Sequence, residues 1–559
     1  MKFIRTSILT FLLTMFALNI YAQSDAVKRA ANSIFTLTTF RSDGTILASS
    51  HGVFVGKNGE AVSTWSPFVG ASRAVVVDIN GHQHDVDAIY GANELYDVCK
   101  FRVDCNSQPV ALAKKAMKSG DKVWLAEYAM KKARFKQYAI KNVENFMEQY
   151  AYYIFSDKAP ENATSSAFIN QNGELIGILQ HSKKGEEIYA TDARFINTFE
   201  PQGLTFNNPS LKQTRIPVAL PSDLNNARLT LMMTADKNER EDSMVYQKYI
   251  NDFIRQFPNE VDGYTAKART LVDKNEFEQA DAEMQKAIQN ATNKDEAHSA
   301  YATLIQQKLI IKPDAPYEPW TFEKAREEAQ QAYTISPAPT YKHQVAQMDY
   351  SLGNYQAAYD AFMQLAGSDV RNGEFFYEAA QCQSKLNAPR ETIMALLDSA
   401  VSVNPESSIS APYYLARGRM YDQGEEYRKA IADYNKYDTL MLGRASHDFY
   451  YLRFKCESKV RFYKQALNDI AHAILLNRGE SLYYAEMASM QLRVNQPEDA
   501  IVSCDMCLQI EPDYPDPYIV KGIALNNLNR KDEAKAAFLK AKELGDERGE
   551  EMLKKYKLE

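Results

Sequence analysis

Three adjacent hydroxyl side chains, Thr164, Ser165 and Ser166, are the first candidates for chemistry in this chain. They precede two short apolar segments, 168–170 and 174–178, that flank an Asn-Gly turn. This pattern predicts a β-hairpin. A serine or threonine hydroxyl is a poor nucleophile until an adjacent base takes its proton. Any hydrolytic function therefore depends on a base near this hairpin.

The histidines offer few candidates for such a base. His51 lies in a predicted strand, and His181 directly follows the hairpin. His181 is the one histidine worth testing, although a partly exposed histidine at a strand end is the simpler interpretation. His82 and His84 flank a predicted turn and could share one face of a strand as metal ligands. No third ligand is evident in the sequence, so we predict no metal site.

The hairpin belongs to a region rich in short β-type segments. Examples are 33–40, 52–55, 73–78 and 122–126, separated by Gly, Asn and Asp turns. Many short strands at this spacing favour an all-β barrel or sandwich.

Four segments of this region, in order, resemble trypsin-like serine peptidases of the HtrA type. Segment 51–71 resembles the first hairpin and helical turn, in which a strand ends in Thr-Asn-x-His before Val-Val-x-Gly-Ala. Segment 93–104 resembles the part that carries the catalytic aspartate, and 118–124 the opening of the second barrel. Segment 162–178 resembles the nucleophile hairpin. The resemblance implies a trypsin-like double six-stranded β-barrel over residues 24–200.

The catalytic triad is carried over only in part. The histidine position of the family falls on Ser66, the aspartate on Asp97 and the serine on Thr164, or on Ser165 or Ser166 if the alignment shifts. Only the aspartate is retained. A serine at the base position cannot take up a proton near neutral pH. Asp97 then has a structural role, as an acceptor of backbone hydrogen bonds.

The oxyanion hole of the family is altered as well. Its glycines let backbone N–H groups turn toward the developing negative charge. This sequence has Asn162, Ser165 and Ser166 in their place. Loss of the base together with these glycines would reduce the rate by several orders of magnitude. We therefore expect no catalytic residues in a degenerate peptidase domain.

A repeat dominates the second half of the chain. Four alanines recur at intervals of 36, 34 and 34 residues, and four tyrosines lie sixteen residues before them: Ala430, Ala466, Ala500 and Ala534, with Tyr414, Tyr450, Tyr484 and Tyr518. This period, with an early aromatic residue and a late alanine, resembles the tetratricopeptide repeat (TPR). Stacked helix pairs bury a continuous core and form a groove. Residues 243–559 are predicted to be an all-α TPR solenoid of about seven or eight repeats.

Two further features are consistent with a β-rich domain followed by helical repeats. Residues 201–242 contain four prolines and are predicted to be a linker or a wrapping segment. Cys504 and Cys507 fall at packing positions of the repeat, so we interpret them as core residues rather than a redox or metal pair. The six cysteines are too sparse for a disulfide scaffold.

The first helices of the repeats carry a predicted groove stripe of cationic and amide side chains. Its members are Arg269, Arg419, Lys455, Lys459, Arg493, Asn526 and Asn527. These groups could hold a carboxylate or an acidic segment of an extended partner. The alternative is that they are simply solvated.

Residues 1–22 combine Lys2 and Arg5 with an apolar run from Ile8 to Ile20, which is typical of a cleaved signal peptide. A membrane anchor is the alternative, but the run is shorter than the ~20 residues that span a bilayer. We therefore expect a periplasmic or secreted protein without a membrane span. The net charge of −7 gives no support to nucleic-acid binding.

Together these patterns predict an exported protein-interaction module, in which a pseudoprotease barrel and a TPR groove bind a protein or peptide partner without a cofactor. The alternative is an active serine peptidase with an atypical or partner-completed site. The oligomeric state stays open.

Overall fold

The computed structural model describes residues 24–129, 133–158, 160, 163–180, 187–235 and 243–559. The signal peptide predicted at 1–22, Asn162 and His181 lie outside these residues. The chain divides into two compact units, of which the first ends at Asn293 and the second begins at Lys294.

The first barrel follows a short helix, α1 (Asp25–Ala30). Its strands are β1 (Ile34–Phe40), β2 (Ile46–Phe54), β3 (Glu60–Ser63), β4 (Arg73–Val77), β5 (Gln83–Asn93) and β6 (Val98–Val103). They close in the order β1-β2-β3-β6-β5-β4, and every pair is antiparallel. Phe35, Phe68 and Phe101 are fully buried in this barrel. Burial alternates along part of β1, whereas β3 and β6 are buried along most of their length.

The second barrel is also a closed sheet of six strands. Its strands are β7 (Lys122–Glu127), β8 (Arg134–Phe146), β9 (Tyr150–Lys158), β10 (Ala167–Ile169), β11 (Leu175–Leu179) and β12 (Glu187–Asp192). They close in the order β10-β11-β12-β9-β8-β7. Its core is centred on Tyr138, Phe155 and Phe168. The hairpin predicted around 168–178 is β10–β11, and Gly173 in its turn has the positive φ of 80° that favours glycine.

The proline-containing segment after the barrels runs along the first of them. The N–H of Gly70 donates to the carbonyl of Gln213 at 2.7 Å, and the N–H of Arg215 donates to that of Ala71 at 2.8 Å. Val218 then forms a parallel bridge with Ile89 in β5. Its backbone thus pairs with the barrel, before helix α2 (Leu224–Ala235) begins.

A charge network, formed by Asp87, Arg102, Lys248 and Asp252, joins the next helix to the same barrel. Lys248 of helix α3 (Ser243–Gln256) lies 2.7 Å from Asp87 in β5 and 2.6 Å from Asp252. Arg102 in β6 pairs with Asp87 as well. Burial disfavours the charged form of Asp87, but Lys248 and Arg102 hold its pKa below the usual value. This network therefore fixes α3 to the barrel through ionised groups.

The remaining helices follow one another with short connections. The first unit contains α4 (Val261–Asp273) and α5 (Phe277–Asn290). The second unit contains α6 (Lys294–Ile311), α7 (Phe322–Ile335), α8 (Pro339–Ser351), α9 (Tyr355–Ala366), α10 (Gly373–Lys385), α11 (Arg390–Val403), α12 (Ala411–Gln423), α13 (Tyr427–Met441), α14 (His447–Lys459), α15 (Tyr463–Leu476), α16 (Ser481–Arg493), α17 (Pro497–Ile510), α18 (Pro515–Asn527), α19 (Lys531–Glu543) and α20 (Arg548–Tyr556). From α4 to α19 they pack as consecutive pairs. The predicted fold class, a double six-stranded barrel followed by a helical TPR-type array, is confirmed.

Small residues let the two helices of a pair approach closely. A Cβ added at Gly522 would lie 2.4 Å from the Phe538 ring. Each repeated alanine is fully buried. Cys504 and Cys507 are also fully buried, and burial raises the pKa of Cys504 to about 12 and that of Cys507 to about 11. Both thiols therefore stay protonated and pack as small apolar groups.

A second periodic feature is an ion pair between the two helices of a repeat. Its partners are sixteen residues apart: Lys267 and Glu283 at 3.0 Å, Arg417 and Asp433 at 2.7 Å, and Arg453 and Asp469 at 2.7 Å. The carboxylate is buried in every case. Burial of these carboxylates is tolerated because each has a cationic partner.

Candidate functional site

Ser66 and Asp97, two of the predicted triad positions, lie against each other. Ser66 begins a 3-10 turn shortly after β3, and Asp97 ends the turn between β5 and β6 with a positive φ of 42°. The backbone N–H of Ser66 donates to Oδ1 of Asp97 at 2.7 Å, and its hydroxyl donates to Oδ2 at 3.2 Å. The carboxylate therefore holds a backbone turn, and the hydroxyl beside it acts as a donor rather than a base.

The turn that carries Asp97 is anchored by side chains of the second barrel. The carbonyl of Tyr96 accepts hydrogen bonds from Gln180 at 2.7 Å and Thr191 at 2.8 Å. The Tyr96 ring stacks on Phe146, with ring centroids 4.0 Å apart. These contacts place Asp97 where the two barrels meet.

The hydroxyls of Ser165 and Ser166 are buried. Ser165 has no exposed surface, and its Oγ lies 2.6 Å from the hydroxyl of Thr64. It adopts a φ of +68°, a conformation that normally favours glycine. Ser166 is 1% exposed, and its Oγ has no hydrogen-bond partner in the part of the chain that the structure describes. A substrate cannot reach either hydroxyl in this conformation.

Thr164 is half-buried and contacts the first barrel through its backbone. Its carbonyl accepts the N–H of His51 at 3.2 Å and lies 3.2 Å from Nδ1 of the same residue. Burial lowers the pKa of His51, and the Thr164 carbonyl partly opposes this shift. The ring therefore stays neutral through most of the physiological range. Across residues 24–129 and 163–180, no hydrogen bond joins this pair to Ser66 or Asp97.

His82 and His84 share an acidic neighbour that the sequence analysis missed. Oδ2 of Asp78 lies 3.3 Å from Nδ1 of His82 and 3.7 Å from Nε2 of His84. Oδ1 of Asp78 accepts the backbone N–H groups of Asn80 at 2.9 Å and His82 at 2.8 Å. The Asp-x-Asn-Gly sequence of this turn was the signal that predicts such capping. The carboxylate is thus used to form the β4–β5 turn.

The predicted groove residues of the second unit lie on α12, α14, α16 and α18. Arg419, Lys455, Lys459, Arg493 and Asn527 are exposed, whereas Asn526 is half-buried. Arg269 on α4 is exposed too and belongs to the first unit.

Four of the predicted groove cations have no carboxylate oxygen within ion-pair distance among residues 243–559. Within residues 243–559, no ion pair engages Arg419, Lys455, Lys459 or Arg493. Two arginines of the same first helices differ, since Arg417 and Arg453 are paired with acidic residues. The paired and unpaired cations occupy different positions of the repeat. The paired residues Arg417 and Arg453 lie two positions before Arg419 and Lys455.

Aromatic side chains accompany the cations, and the sequence analysis did not single them out. The rings of Tyr451 and Tyr483 lie 5.1 Å apart, and the Lys455 ammonium lies 5.2 Å from the Tyr451 ring centroid. Burial raises the pKa of Glu486 nearby, with Arg493 and Lys455 opposing the shift. Helices α14 and α16 therefore present a joint surface of cations and aromatic rings.

A family model of known proteins matches a short segment of the chain. Residues 515–544 match the tetratricopeptide repeat family model. This match covers α18 and α19, the pair in which Gly522 faces Phe538. No curated protein sequence matches the chain.

Similar solved structures include one of each fold type. A substituted form of the HtrA-type protease AlgW, with a tripeptide, is 15% identical, covers 32% of this chain and 62% of its own, and has a TM-score of 0.28. The chain thus spans less than two thirds of that protease. YrrB, a TPR protein with an unusual peptide-binding site, is 19% identical, covers 35% of this chain and 99% of its own, and has a TM-score of 0.31. In the described part of the chain, no helix has the length and apolar character needed to cross a membrane.

Proposed function

We propose that this chain is an exported protein-interaction module in which the barrels have no peptidase activity and the helical repeats bind an acidic peptide or protein segment. The binding proposal rests on one observation: successive first helices expose cations that form no direct ion pair among the described residues, at Arg419, Lys455, Lys459 and Arg493. Export rests on the signal-peptide pattern at 1–22.

The absence of catalysis is inferred from the hydroxyl groups. Ser66 occupies the base position and donates its own hydroxyl hydrogen to Asp97. Ser165 and Ser166 are buried, so the segment that would supply the nucleophile does not face solvent there. A hydroxyl without a base and without access to a substrate is not activated for attack.

The binding surface has the chemistry to hold carboxylates. A free guanidinium or ammonium group gains a strong, charge-assisted hydrogen bond from a carboxylate of a partner. Lys455 and Arg493 flank the partly buried Glu486, and the Tyr451–Tyr483 pair beside them offers apolar contact area. An extended acidic segment with interspersed apolar residues fits this combination.

One observation favours the alternative, an active peptidase with an atypical site. Asp97 is retained, and Thr164 is half-buried beside His51 rather than fully enclosed. A fluorophosphonate probe that labels activated hydroxyls separates the two functions.

The binding proposal is tested by charge reversal in the full chain. The variant Lys455→Glu/Arg493→Glu should lose affinity for fluorescein-labelled acidic peptides about tenfold or more in anisotropy measurements, since each reversal replaces attraction by repulsion. The control Lys464→Glu/Lys531→Glu changes the net charge equally at exposed positions on second helices of repeats. Equal weakening in both variants, or none in either, would contradict a specific groove site.

A further inference from the structure

A histidine and two glutamates meet on the neighbouring helices α8 and α10. Glu374 and Glu378 lie one turn apart on α10, so both face the same side. His343 on α8 faces them. One ligand atom from each of the three residues lies within 4.8 Å of the others.

The imidazole is held in place by its surroundings. Its ring is half-buried and packs edge-on against Phe362, with centroids 5.7 Å apart, and against Phe375 at 5.0 Å. Nε2 of His343 pairs with Oε2 of Glu378. A ligand fixed in this way loses little freedom when it binds an ion.

The carboxylate of Glu378 is also oriented. Nε2 of Gln347, one turn after His343 on α8, donates to its Oε1 at 2.7 Å. This hydrogen bond directs Oε2 toward the imidazole. Hydrogen bonds of this kind to a carboxylate ligand are a regular part of metal sites, where they set the direction of the donor atom.

Glu374 and Glu378 differ in their partners from the paired carboxylates of the same unit. Elsewhere in the second unit the buried carboxylates Asp433 and Asp469 are neutralised by arginines. Among the described residues, Glu374 and Glu378 have no lysine or arginine partner, and their negative charges repel each other across one helical turn. A metal cation between these carboxylates would relieve that repulsion.

We propose that His343, Glu374 and Glu378 bind a divalent transition-metal ion, with Zn²⁺ as the best match. One imidazole nitrogen and two carboxylate oxygens suit Zn²⁺, and three protein ligands leave one coordination position for water or a partner's carboxylate. The ion would join α8 to α10, which belong to consecutive helix pairs.

The test uses the tag-free full chain after removal of metals with a chelator. Isothermal titration with Zn²⁺ should give one site with micromolar or tighter affinity, and Zn²⁺ should raise the unfolding temperature. Glu374→Gln should weaken binding at least about tenfold. Because Glu374 is exposed, this variant should fold normally, which circular dichroism would verify.

The matched control is His298→Ala. His298 pairs with Glu328 in the same unit at 2.5 Å, but Glu328 also contacts Lys324 at 2.7 Å, so that pair already has a cation. His298→Ala should leave the Zn²⁺ affinity unchanged, whereas His343→Ala should abolish binding. Absence of Zn²⁺ binding, or binding that is unaffected by Glu374→Gln, would overturn the proposal.

Discussion

The stability of the second unit should depend strongly on pH because of one buried acid. Glu457 on α14 is 3% exposed, and its Oε2 has no hydrogen-bond partner within 243–559. The nearest guanidinium, that of Arg453, is already bound to Asp469 at 2.7 and 2.9 Å and to Asp438 at 3.0 Å. Burial and then the charge of Asp469 raise the pKa of Glu457 to about 8, although Arg453 opposes the shift.

The direction in which the free energy of unfolding changes with pH follows from the extra proton that the folded state holds. In the unfolded chain Glu457 titrates near its ordinary pKa of 4.5. Between pH 4.5 and about pH 8 the folded chain therefore binds one proton more than the unfolded chain. The stabilisation from that proton is complete below pH 4.5 and is lost as the pH rises through 8. Each pH unit lowers the free energy of unfolding by about 1.4 kcal/mol, which gives a loss of up to about 4 kcal/mol between pH 5 and 8.

Glu457→Gln removes this dependence because the amide cannot ionise. We expect the variant to be more stable than the parent chain at pH 8 by up to about 4 kcal/mol, and similar to it at pH 5. Urea unfolding of the full chain, followed by far-ultraviolet circular dichroism across this range, measures the difference. Glu318→Gln, at an exposed loop position, serves as the control and should follow the parent chain. Parallel profiles for the parent chain and Glu457→Gln would refute the reasoning.

Two other predictions concern the barrels and the repeat packing. No fluorophosphonate labelling of the full chain is expected, because Ser165 is buried and Ser66 donates its proton; labelling that disappears in Thr164→Ala would establish an active site. Gly522→Ala should destabilise the chain by about 1–3 kcal/mol in urea unfolding, since the new methyl group overlaps the facing ring. The control Gly479→Ala, where the nearest atom is 3.8 Å away, should change stability by less than about 0.5 kcal/mol.

The sequence predicted the repeats well because their signal is local and repeated. Buried alanines recur at a fixed spacing, so one misread position does not change the interpretation. The barrels were found through four short resemblances in order, and both close as expected. These features depend on spacing along the chain, which a sequence displays directly.

The details of the sites were harder to predict because they depend on distant partners. Ser165 could be placed in the hairpin, but its contact with Thr64 crosses 101 residues of chain. Asp78 was missed because its role is set by a turn and by two histidines that fold back onto it. The proximity of His343 to Glu374 could not be predicted for a similar reason, since they come from different helix pairs and no spacing rule links them.

The charge network that holds α3 to the first barrel gives the barrel a part in supporting the start of the helical region. The first helices of a stacked array have an apolar side with no preceding repeat to cover it. Here Leu220, Leu231, Ile250 and Phe253 pack together on that side, and Lys248 is tied to Asp87 of the barrel. A truncated chain beginning at α3 would lose both the apolar cover and the ionic partner. Leu220 and α2 therefore cover the apolar side of α3, and the folded barrel supplies the carboxylate that binds Lys248, a contribution that requires no peptidase activity.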